Sequence, residues 1–404
     1  MLKGKTVILG VTGSIAAYKI ASLASALAKL HADVNVIMTK NATNFINPIT
    51  FESLTGNKCL VDTFDRNFQY QVEHVSLAKK ADICMIAPAS ANVIGKLANG
   101  IADDMLTTTA LACKCKIIVA PAMNTNMYTN PIVMDNMEKL ERYGFEVIQA
   151  DSGYLACGDT GAGKMPSPET LLEYILKEIA CSKDMLGKKV LVTAGPTQES
   201  IDPVRFITNH SSGKMGYAIA KNCMLRGAEV LLVTGRTHID TPLFVETIEV
   251  ESAKDMFEAV KERYKEMDVI VKCAAVADYT PVYTSDNKIK KSDGDMQIDV
   301  TRTTDILKFL GENRSDNQFI CGFSMETENM LENSKIKLQK KNIDMIVANN
   351  LKEAGAGFGT DTNIVTVITK QESKSLPIMT KEEAAQNIVD EILKNYNGMK
   401  QFCI

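Results

Sequence analysis

Positive charge is not in excess in this chain: 45 Lys and Arg stand against 49 Asp and Glu, for a formal net charge of -4 and a sequence pI near 5.8. Nucleic-acid polymers and anionic lipid surfaces need cations to neutralise their phosphates, so neither is expected as a partner. Long apolar runs are missing too. After Met1-Leu2-Lys3-Gly4-Lys5, a short apolar stretch is broken by Gly10, Thr12, Gly13 and Ser14 before it reaches the length of an export signal or a membrane span. A cytoplasmic location is therefore expected. The ten cysteines include no C-x-x-C pair and no Cys/His spacing suited to zinc. Reduced thiols fit that compartment.

What remains is a chain of 404 residues that is 45% hydrophobic, long enough for two or three domains with sizeable cores. Two segments echo each other. Gly4-Lys5-Thr6-Val7-Ile8-Leu9 and Gly187-Lys188-Lys189-Val190-Leu191-Val192 each read as a first strand, followed by a loop of small residues, an Ala-containing helix and a second strand (Asp33–Met38; Glu229–Thr234). Strand, crossover helix, strand makes parallel pairing the expectation, hence an α/β fold of two tandem doubly wound, Rossmann-like domains. Further buried strands are expected at 83–87, 116–120 and 146–149, then at 269–276, 319–323 and 345–348. Ile20, Leu23, Leu27 and Leu30 recur at helical spacing and should face a sheet, with Ser14 as the helix cap. Residues 171–180 read as a closing helix, and the polar Cys181-Ser182-Lys183-Asp184 places a boundary near Lys183, giving domains 1–183 and 184–404. The polar stretch 283–299 has no apolar period and reads as a loop.

In the first half, Gly10-Val11-Thr12-Gly13-Ser14-Ile15 sits between strand and helix, where backbone N–H groups and the positive helix end attract a phosphate. It is not a G-x-G-x-x-G fingerprint, and the second strand ends Met38-Thr39-Lys40 without an acidic residue for an adenosine ribose, so a mononucleotide is favoured over NAD. Read alone, this loop is equally an ordinary tight turn. Ala87-Pro88-Ala89-Ser90-Ala91-Asn92 leaves room for a flat ring, with Ser90 as a cap or a hydrogen-bond donor. Pro121-Ala122-Met123-Asn124-Thr125-Asn126-Met127-Tyr128 opens at the same sheet edge. His74 lies in a stretch that also suits any surface helix, and the glycine-rich stretch 151–164 around Cys157 suits a lid or an ordinary loop.

Together these segments, with Gly13-Ser14-Ile15-Ala16-Ala17-Tyr18-Lys19 and Ala156-Cys157-Gly158-Asp159, resemble the flavin-dependent cysteine decarboxylases that act on phosphopantothenoylcysteine. The resemblance spans nearly the whole half and implies a flavodoxin-like flavoprotein. It implies FMN held by Gly13, Ser14, Thr39 and Ser90, and the substrate carboxylate held by Asn124 and Met127. It also implies a thiol oxidised to a thioaldehyde so that carbon dioxide can leave, with His74 as the base near the thiol and Cys157 as the acid that returns a proton.

In the second half, Thr193-Ala194-Gly195-Pro196-Thr197 leaves the first strand. A long polar loop, Asp202-Pro203-Val204-Arg205-Phe206-Ile207-Thr208-Asn209-His210-Ser211-Ser212-Gly213-Lys214-Met215-Gly216, leads into the helix. Ser211, Ser212 and Gly213 again suit a phosphate, and Arg205 and Asn209 add a cation and an amide for a carboxylate. A solvated loop would look similar. Lys288-Ile289-Lys290-Lys291 follows Ala274-Ala275-Val276-Ala277-Asp278, and Lys337 and Lys341 share a helix face, where they serve one anion or simply solvate a surface.

This half resembles the phosphopantothenate-cysteine ligases through those motifs and through Asn342-Ile343-Asp344-Met345-Ile346-Val347-Ala348-Asn349. The order of the halves is that of bacterial bifunctional enzymes of coenzyme A biosynthesis. The resemblance implies that 4'-phosphopantothenate attacks CTP to give an acyl-cytidylate, from which L-cysteine displaces CMP. By it, Asn209 and Lys288 are catalytic, and Arg205, Ser211, Ser212, Gly213 and Lys214 contact substrate. Ala274, Ala275, Asp278, Asp305, Ile306, Phe323, Lys288, Lys337 and Lys341 contact nucleotide, with Asp278 toward Mg2+. It further implies homo-oligomers whose decarboxylase sites are completed between subunits. One departure is Thr303-Thr304-Asp305-Ile306, which lacks the family's proline before the aspartate, and a looser loop is expected there. The alternatives are an FMN-binding regulatory protein without turnover, a decarboxylase of peptide C-terminal cysteines, and ATP in place of CTP.

Overall fold

The computed structural model describes residues 1–63, 73–156, 158–290, 296–326, 329–350 and 361–401. Two compact units meet between Cys181 and Ser182.

In the first unit, strands β1 (Thr6–Val11), β2 (Asp33–Met38), β3 (Ile83–Ala89), β4 (Lys116–Pro121) and β5 (Glu146–Val147) form one sheet. Its order is β2-β1-β3-β4-β5, and every pairing is parallel. This is the flavodoxin-like order, with the switch point between β1 and β3, and ligands of such sheets settle at the carboxyl edge there. β1 and β3 are buried along their whole length, as expected of strands covered on both faces. The helix Ala17–Lys29 buries Ala17, Ile20, Leu23, Ala24 and Leu27. Burial of a side chain the size of leucine contributes about 1.5–3 kcal/mol. Leu30, expected on the same face, is only half-buried because it already stands at the C-cap, where the chain turns away. The glycine-rich stretch after β5 is a hairpin of β6 (Asp151–Tyr154) and β7 (Thr160–Lys164).

The second unit carries β8 (Lys189–Ala194), β9 (Gln198–Ser200), β10 (Phe206–Thr208), β11 (Glu229–Thr234), β12 (Glu246–Glu249), β13 (Val269–Lys272), β14 (Tyr279–Pro281), β15 (Val300–Arg302), β16 (Phe319–Glu326), β17 (Met345–Asn350), β18 (Thr362–Asn363), β19 (Val365–Thr369), β20 (Ser373–Ser375) and β21 (Met379–Thr380). Its main sheet runs β12-β11-β8-β13-β16-β17-β19-β20. Pairings from β12 to β17 are parallel, whereas β19 and β20 add an antiparallel margin that the alternating strand-helix pattern did not announce. Leu191, Val233, Met256, Ile270, Leu310, Ile320 and Ile346 belong to one buried cluster of this unit. The strand expected over 269–276 stops at Lys272 because the chain turns across the sheet edge. There the Ala274 N–H donates to Thr193 Oγ1 at 3.1 Å and the Ala275 N–H to the Gly195 carbonyl at 2.9 Å. The turn that follows β13 is thereby pinned to the loop that follows β8.

Candidate active sites at the two sheet edges

At the carboxyl edge of the first sheet, the side chain that ties the loops together is Thr12. Its Oγ1 donates to the Pro88 carbonyl at 2.6 Å and accepts from the Ser90 N–H at 2.9 Å. Ser14 is not the helix cap. Ala16 holds that position without a side-chain bond, and Ser14 Oγ only accepts from the Ala16 N–H at 3.4 Å, because the loop runs two residues further before the helix starts. Ser90 does stand at the N-cap of the helix Ala91–Ala98, yet its hydroxyl makes no capping bond. Both hydroxyls are thus spared the role local propensity would give them. Thr39 is buried, and its Oγ1 has no hydrogen-bond partner. Gly13 comes so close to the next turn that a Cβ there would lie 2.8 Å from Asn41 Cβ.

A cavity of about 420 Å³ opens beside this edge, lined by Ser14, Lys19, Asn124, Tyr154 and Lys164 among others. Asn124 caps the short helix Thr125–Tyr128 through Oδ1, which accepts from the Asn126 N–H at 2.8 Å, and its Nδ2 donates to Asp159 Oδ2 at 3.3 Å. The structure therefore brings Ser14 and Asn124 to one cavity. It does not place Gly13, Thr39, Ser90, Met127 or His74 in that lining. Met127 is exposed, and His74 is half-buried on the helix Glu73–Lys80. Cys157 lies outside the described residues.

In the second unit a cavity of about 270 Å³ gathers the Gly195 loop, Ser211 to Gly216, the turn from Cys273 to Val276, and Asp278, Phe323, Ser324, Met325 and Asn349. Among the described residues, four lysines line it, Lys214, Lys272, Lys337 and Lys381, against a single carboxylate, Asp278. Gly213 sits at φ 81° ahead of the helix Lys214–Leu225, and a Cβ there would lie 2.8 Å from Thr237 Cγ2 and 3.3 Å from the Gly195 N, so only glycine lets the two loops meet. Asn209 is exposed and its Nδ2 donates to the Ala275 carbonyl at 3.0 Å. Lys272 donates to the Ala274 carbonyl at 2.9 Å. Burial, and then the neighbouring charge of Lys337, push the Lys272 ammonium down to about 8. Lys337 Nζ donates to the Phe323 carbonyl at 3.5 Å. Asn349 Oδ1 is buried with no hydrogen-bond partner. Such a set of groups suits an anion.

Several expected residues make structural contacts. Ile306 is 2% exposed and belongs to the apolar core. Asp305 caps the helix Ile306–Asn313 by accepting from the Lys308 N–H at 2.9 Å, and it forms an ion pair with Lys341. Burial alone would raise the Asp305 carboxyl, but Lys341 and the Lys308 N–H outweigh it and hold the group below its ordinary value. Lys341, four residues after Lys337, is therefore spent on Asp305 and is not among the cavity's lining residues. Arg205 pairs with the buried Asp202 at 3.0 Å and donates to the Ile289 carbonyl at 3.4 Å, while the Ile289 N–H donates to Asp202 Oδ2 at 3.2 Å. That network anchors the lysine loop, whose Lys288 is exposed and outside the cavity lining and whose Lys291 lies outside the described residues. The loop without the family's proline is pinned by Thr303, which donates through Oγ1 to the Ala277 carbonyl at 2.6 Å and through N–H to the Asp278 carbonyl at 3.0 Å.

Lys19, Lys164, Lys272, Asn363 and Lys381 line the cavities and had not been singled out for any role. Lys272 left a trace in the sequence as a charge at the end of an apolar strand, whereas Asn363 and Lys381 left none. Among the described residues no three His, Cys, Asp or Glu side chains are grouped as metal ligands. Also among them, no helix is long and apolar enough to cross a membrane.

Fold and sites together define a protein of two tandem α/β units, each with a cavity at the carboxyl edge of a mainly parallel sheet. Residues 1–180 match the family model described as Flavoprotein, and residues 185–396 the one described as DNA/pantothenate metabolism flavoprotein C-terminal domain. The chain is 47% identical over 396 residues to the coenzyme A biosynthesis bifunctional protein CoaBC of Bacillus subtilis, covering 97% of each chain. It is 40% identical over 395 residues to the protein of the same name from Haemophilus influenzae, covering 98% of each. A crystal structure of the C-terminal domain of such a CoaBC protein is 46% identical, covering 54% of this chain and 100% of that one, with a TM-score of 0.47. The chain belongs to the family of CoaBC bifunctional proteins of coenzyme A biosynthesis. It is a bifunctional enzyme with a decarboxylase and a ligase activity, and a regulatory role without turnover is not favoured.

Proposed function

We propose that the second domain, 184–404, joins 4'-phosphopantothenate to L-cysteine with CTP, and that the first, 1–183, decarboxylates the product with FMN. The observation that carries the ligase half is the cavity with four lysines and one carboxylate at the edge of the second sheet. A carboxylate becomes an electrophile only when its oxygen is made a leaving group, and lysines offset the charge that gathers on departing pyrophosphate. Lys337 and Lys272 do this at the phosphates. The Ala274-Ala275 backbone and Phe323 hold the nucleotide, Asn209 orients the acyl-nucleotide, and Ser211 to Lys214 with Arg205 steady the acid. Asp278, in the lining and exposed, would hold a magnesium ion, which would offset charge on the phosphates. Lys288, Lys341, Asp305 and Ile306 act around this centre, the first by closing on the phosphates and the others by holding the turn.

In the first domain the buried unpartnered Thr39 Oγ1 and the close approach of Gly13 to Asn41 fit an FMN phosphate and ribityl chain. Ser14 and Ser90 would add their hydroxyls. FMN, when bound, supplies reversible two-electron chemistry at the substrate thiol, so the overall reaction has no net redox change. His74 takes the thiol proton, Asn124 and Met127 hold the carboxylate that leaves, and Cys157 returns a proton to the product. The enzyme works in the cytoplasm as a homo-oligomer whose decarboxylase sites are shared between subunits. The test incubates the full chain with phosphopantothenate, cysteine, magnesium and either CTP or ATP while pyrophosphate and carbon dioxide are followed. Release of both with CTP is expected, and pyrophosphate released only with ATP would overturn the nucleotide assignment.

A further inference from the structure

Two buried polar residues of the second unit have no task in the scheme so far. Asn363 is 2% exposed and Lys381 5%, and both line the lysine-rich cavity. A small strand pair delivers them: β18 and β21 run antiparallel with Asn363 opposite Met379, and Lys381 follows as the first residue of the helix Lys381–Gln401. This is an unfavourable place for a cation. A lysine at a helix start meets the positive end of the helix dipole. Burial, and then the charge of Lys214, push the Lys381 ammonium below the ordinary lysine range, with Asp361 only partly opposing them. Asp361 is already paired with Lys214 at 2.6 Å, and its side chain is 87% exposed, so water screens much of its charge. The Asn363 amide has weak company. Its Nδ2 reaches Met215 Sδ at 3.8 Å, a weak acceptor, while its Oδ1 accepts from the Ile364 N–H.

Two buried or half-buried ammoniums, a poorly satisfied amide and the Ser211-Ser212-Gly213 loop thus line one cavity. A carboxylate brings one negative charge, whereas a phosphoryl group brings up to two and more acceptor oxygens. We propose that Lys381 and Asn363, with Lys214, form the seat of a phosphoryl group of the ligation reactants, and that Lys381 sets the preference for a phosphorylated ligand. This rests on the ligase function proposed above. The phosphoryl group can belong to the acid substrate, as its phosphomonoester, or to the nucleotide, as part of its triphosphate.

The full chain and its Lys381→Met and Lys381→Arg variants are compared, with KM measured separately for phosphopantothenate, nucleotide and cysteine through pyrophosphate release. Lys381→Met should raise the KM of one phosphorylated reactant about tenfold or more, the worth of a charge-assisted hydrogen bond, and leave that of cysteine unchanged. Lys381→Arg should restore most of the loss. If the acid sits in the seat, the preference for phosphopantothenate over pantothenate collapses in the Met variant; if the nucleotide does, that preference stays and the nucleotide KM rises. Unchanged KM values for both, or a loss confined to kcat, would overturn the proposal. Should the wild-type chain release no pyrophosphate from any nucleotide, the ligase reading fails by itself. Inorganic pyrophosphate, titrated while thermal unfolding is followed, then still tests the seat: wild type should be stabilised and Lys381→Met should not, and equal stabilisation of both overturns it.

Discussion

Asn209 Nδ2 lies 3.0 Å from the carbonyl oxygen of Ala275, so the long polar loop before the helix Lys214–Leu225 is tied by one exposed side chain to the turn that follows β13. The turn itself is fixed from the other side by Thr193, through the Ala274 N–H, and by the Gly195 carbonyl. Replacing Asn209 by alanine removes the donor to Ala275, a residue of the cavity lining, without opening the core. Ligation by Asn209→Ala should fall by about 10²-fold, in line with loss of one oriented donor, while thermal unfolding shifts by no more than about 0.5 kcal/mol. Pyrophosphate release at a wild-type rate would show that Asn209 only tethers the loop.

Thr39 gives a prediction of opposite signs for stability and binding. Its hydroxyl is buried without a partner, which destabilises a protein by about 1–3 kcal/mol relative to an apolar group of the same shape. Thr39→Val should therefore raise the unfolding midpoint of the flavin-free chain. The same change should weaken FMN binding about tenfold, because the phosphate or ribityl oxygen that satisfies the hydroxyl loses its donor. Calorimetric unfolding of the flavin-free protein and a fluorescence titration with FMN read the two effects. A variant that binds FMN as tightly as the parent would remove Thr39 from the site.

The sheets were legible because their strands are buried on both faces and so read as apolar runs at intervals, as in β1, β3 and β8. The loops after them were legible as cavity-lining because Gly, Ser and Asn are gathered where a strand meets a helix. What each side chain does inside a loop was less legible. Thr12 outcompetes Ser14 and Ser90 because it faces both a carbonyl and an N–H across the switch point, a fact of strand pairing and not of local sequence. Lys337 and Lys341 look equivalent by spacing, yet Asp305 claims one and leaves the other to the cavity. Asn363 and Lys381 reach the site through pairing of β18 with β21, more than 140 residues after Ser211 in the numbering of the chain, and no local pattern marks them.

Lys272 makes ligand affinity and stability depend on pH in the alkaline range. Its ammonium is held at about 8 against an ordinary 10.5, so between those values the unfolded chain binds more protons than the folded one. Stability of the second unit from this group therefore rises with pH across that window, by on the order of 1 kcal/mol per pH unit, and is lowest below about 8, where the buried ammonium is charged. A bound phosphate favours the charged form and pulls the opposite way, so nucleotide binding should weaken as pH climbs past 8. Lys272→Met should flatten both dependences. Urea unfolding and nucleotide titrations at a series of pH values check this, and a slope in stability that survives the substitution would assign it to other groups.

Arg226 fixes the C-terminal helix that begins with Lys381. It is 9% exposed, donates to both carboxylate oxygens of Asp184 at 2.8 and 2.6 Å, and reaches Asp390 within that helix at 2.5 Å. The Arg226 bonds hold the Asp184 carboxyl below its ordinary value, so this pair supports the fold above the usual carboxylate range and loses that support as pH falls toward acid. Because both aspartates are partly exposed, Arg226→Met leaves them to water and not to an apolar interior, and the loss of stability should be about 2 kcal/mol, below that of a fully buried pair. The acid limb of the stability curve should flatten at the same time. If Lys381 is held in the cavity by this helix, the variant also loses affinity for the phosphorylated ligand that Lys381 serves, while the KM for cysteine stays where it was. A chain that unfolds more easily yet binds both phosphorylated reactants normally would show that the first turn of the helix is positioned by β18 and β21 alone.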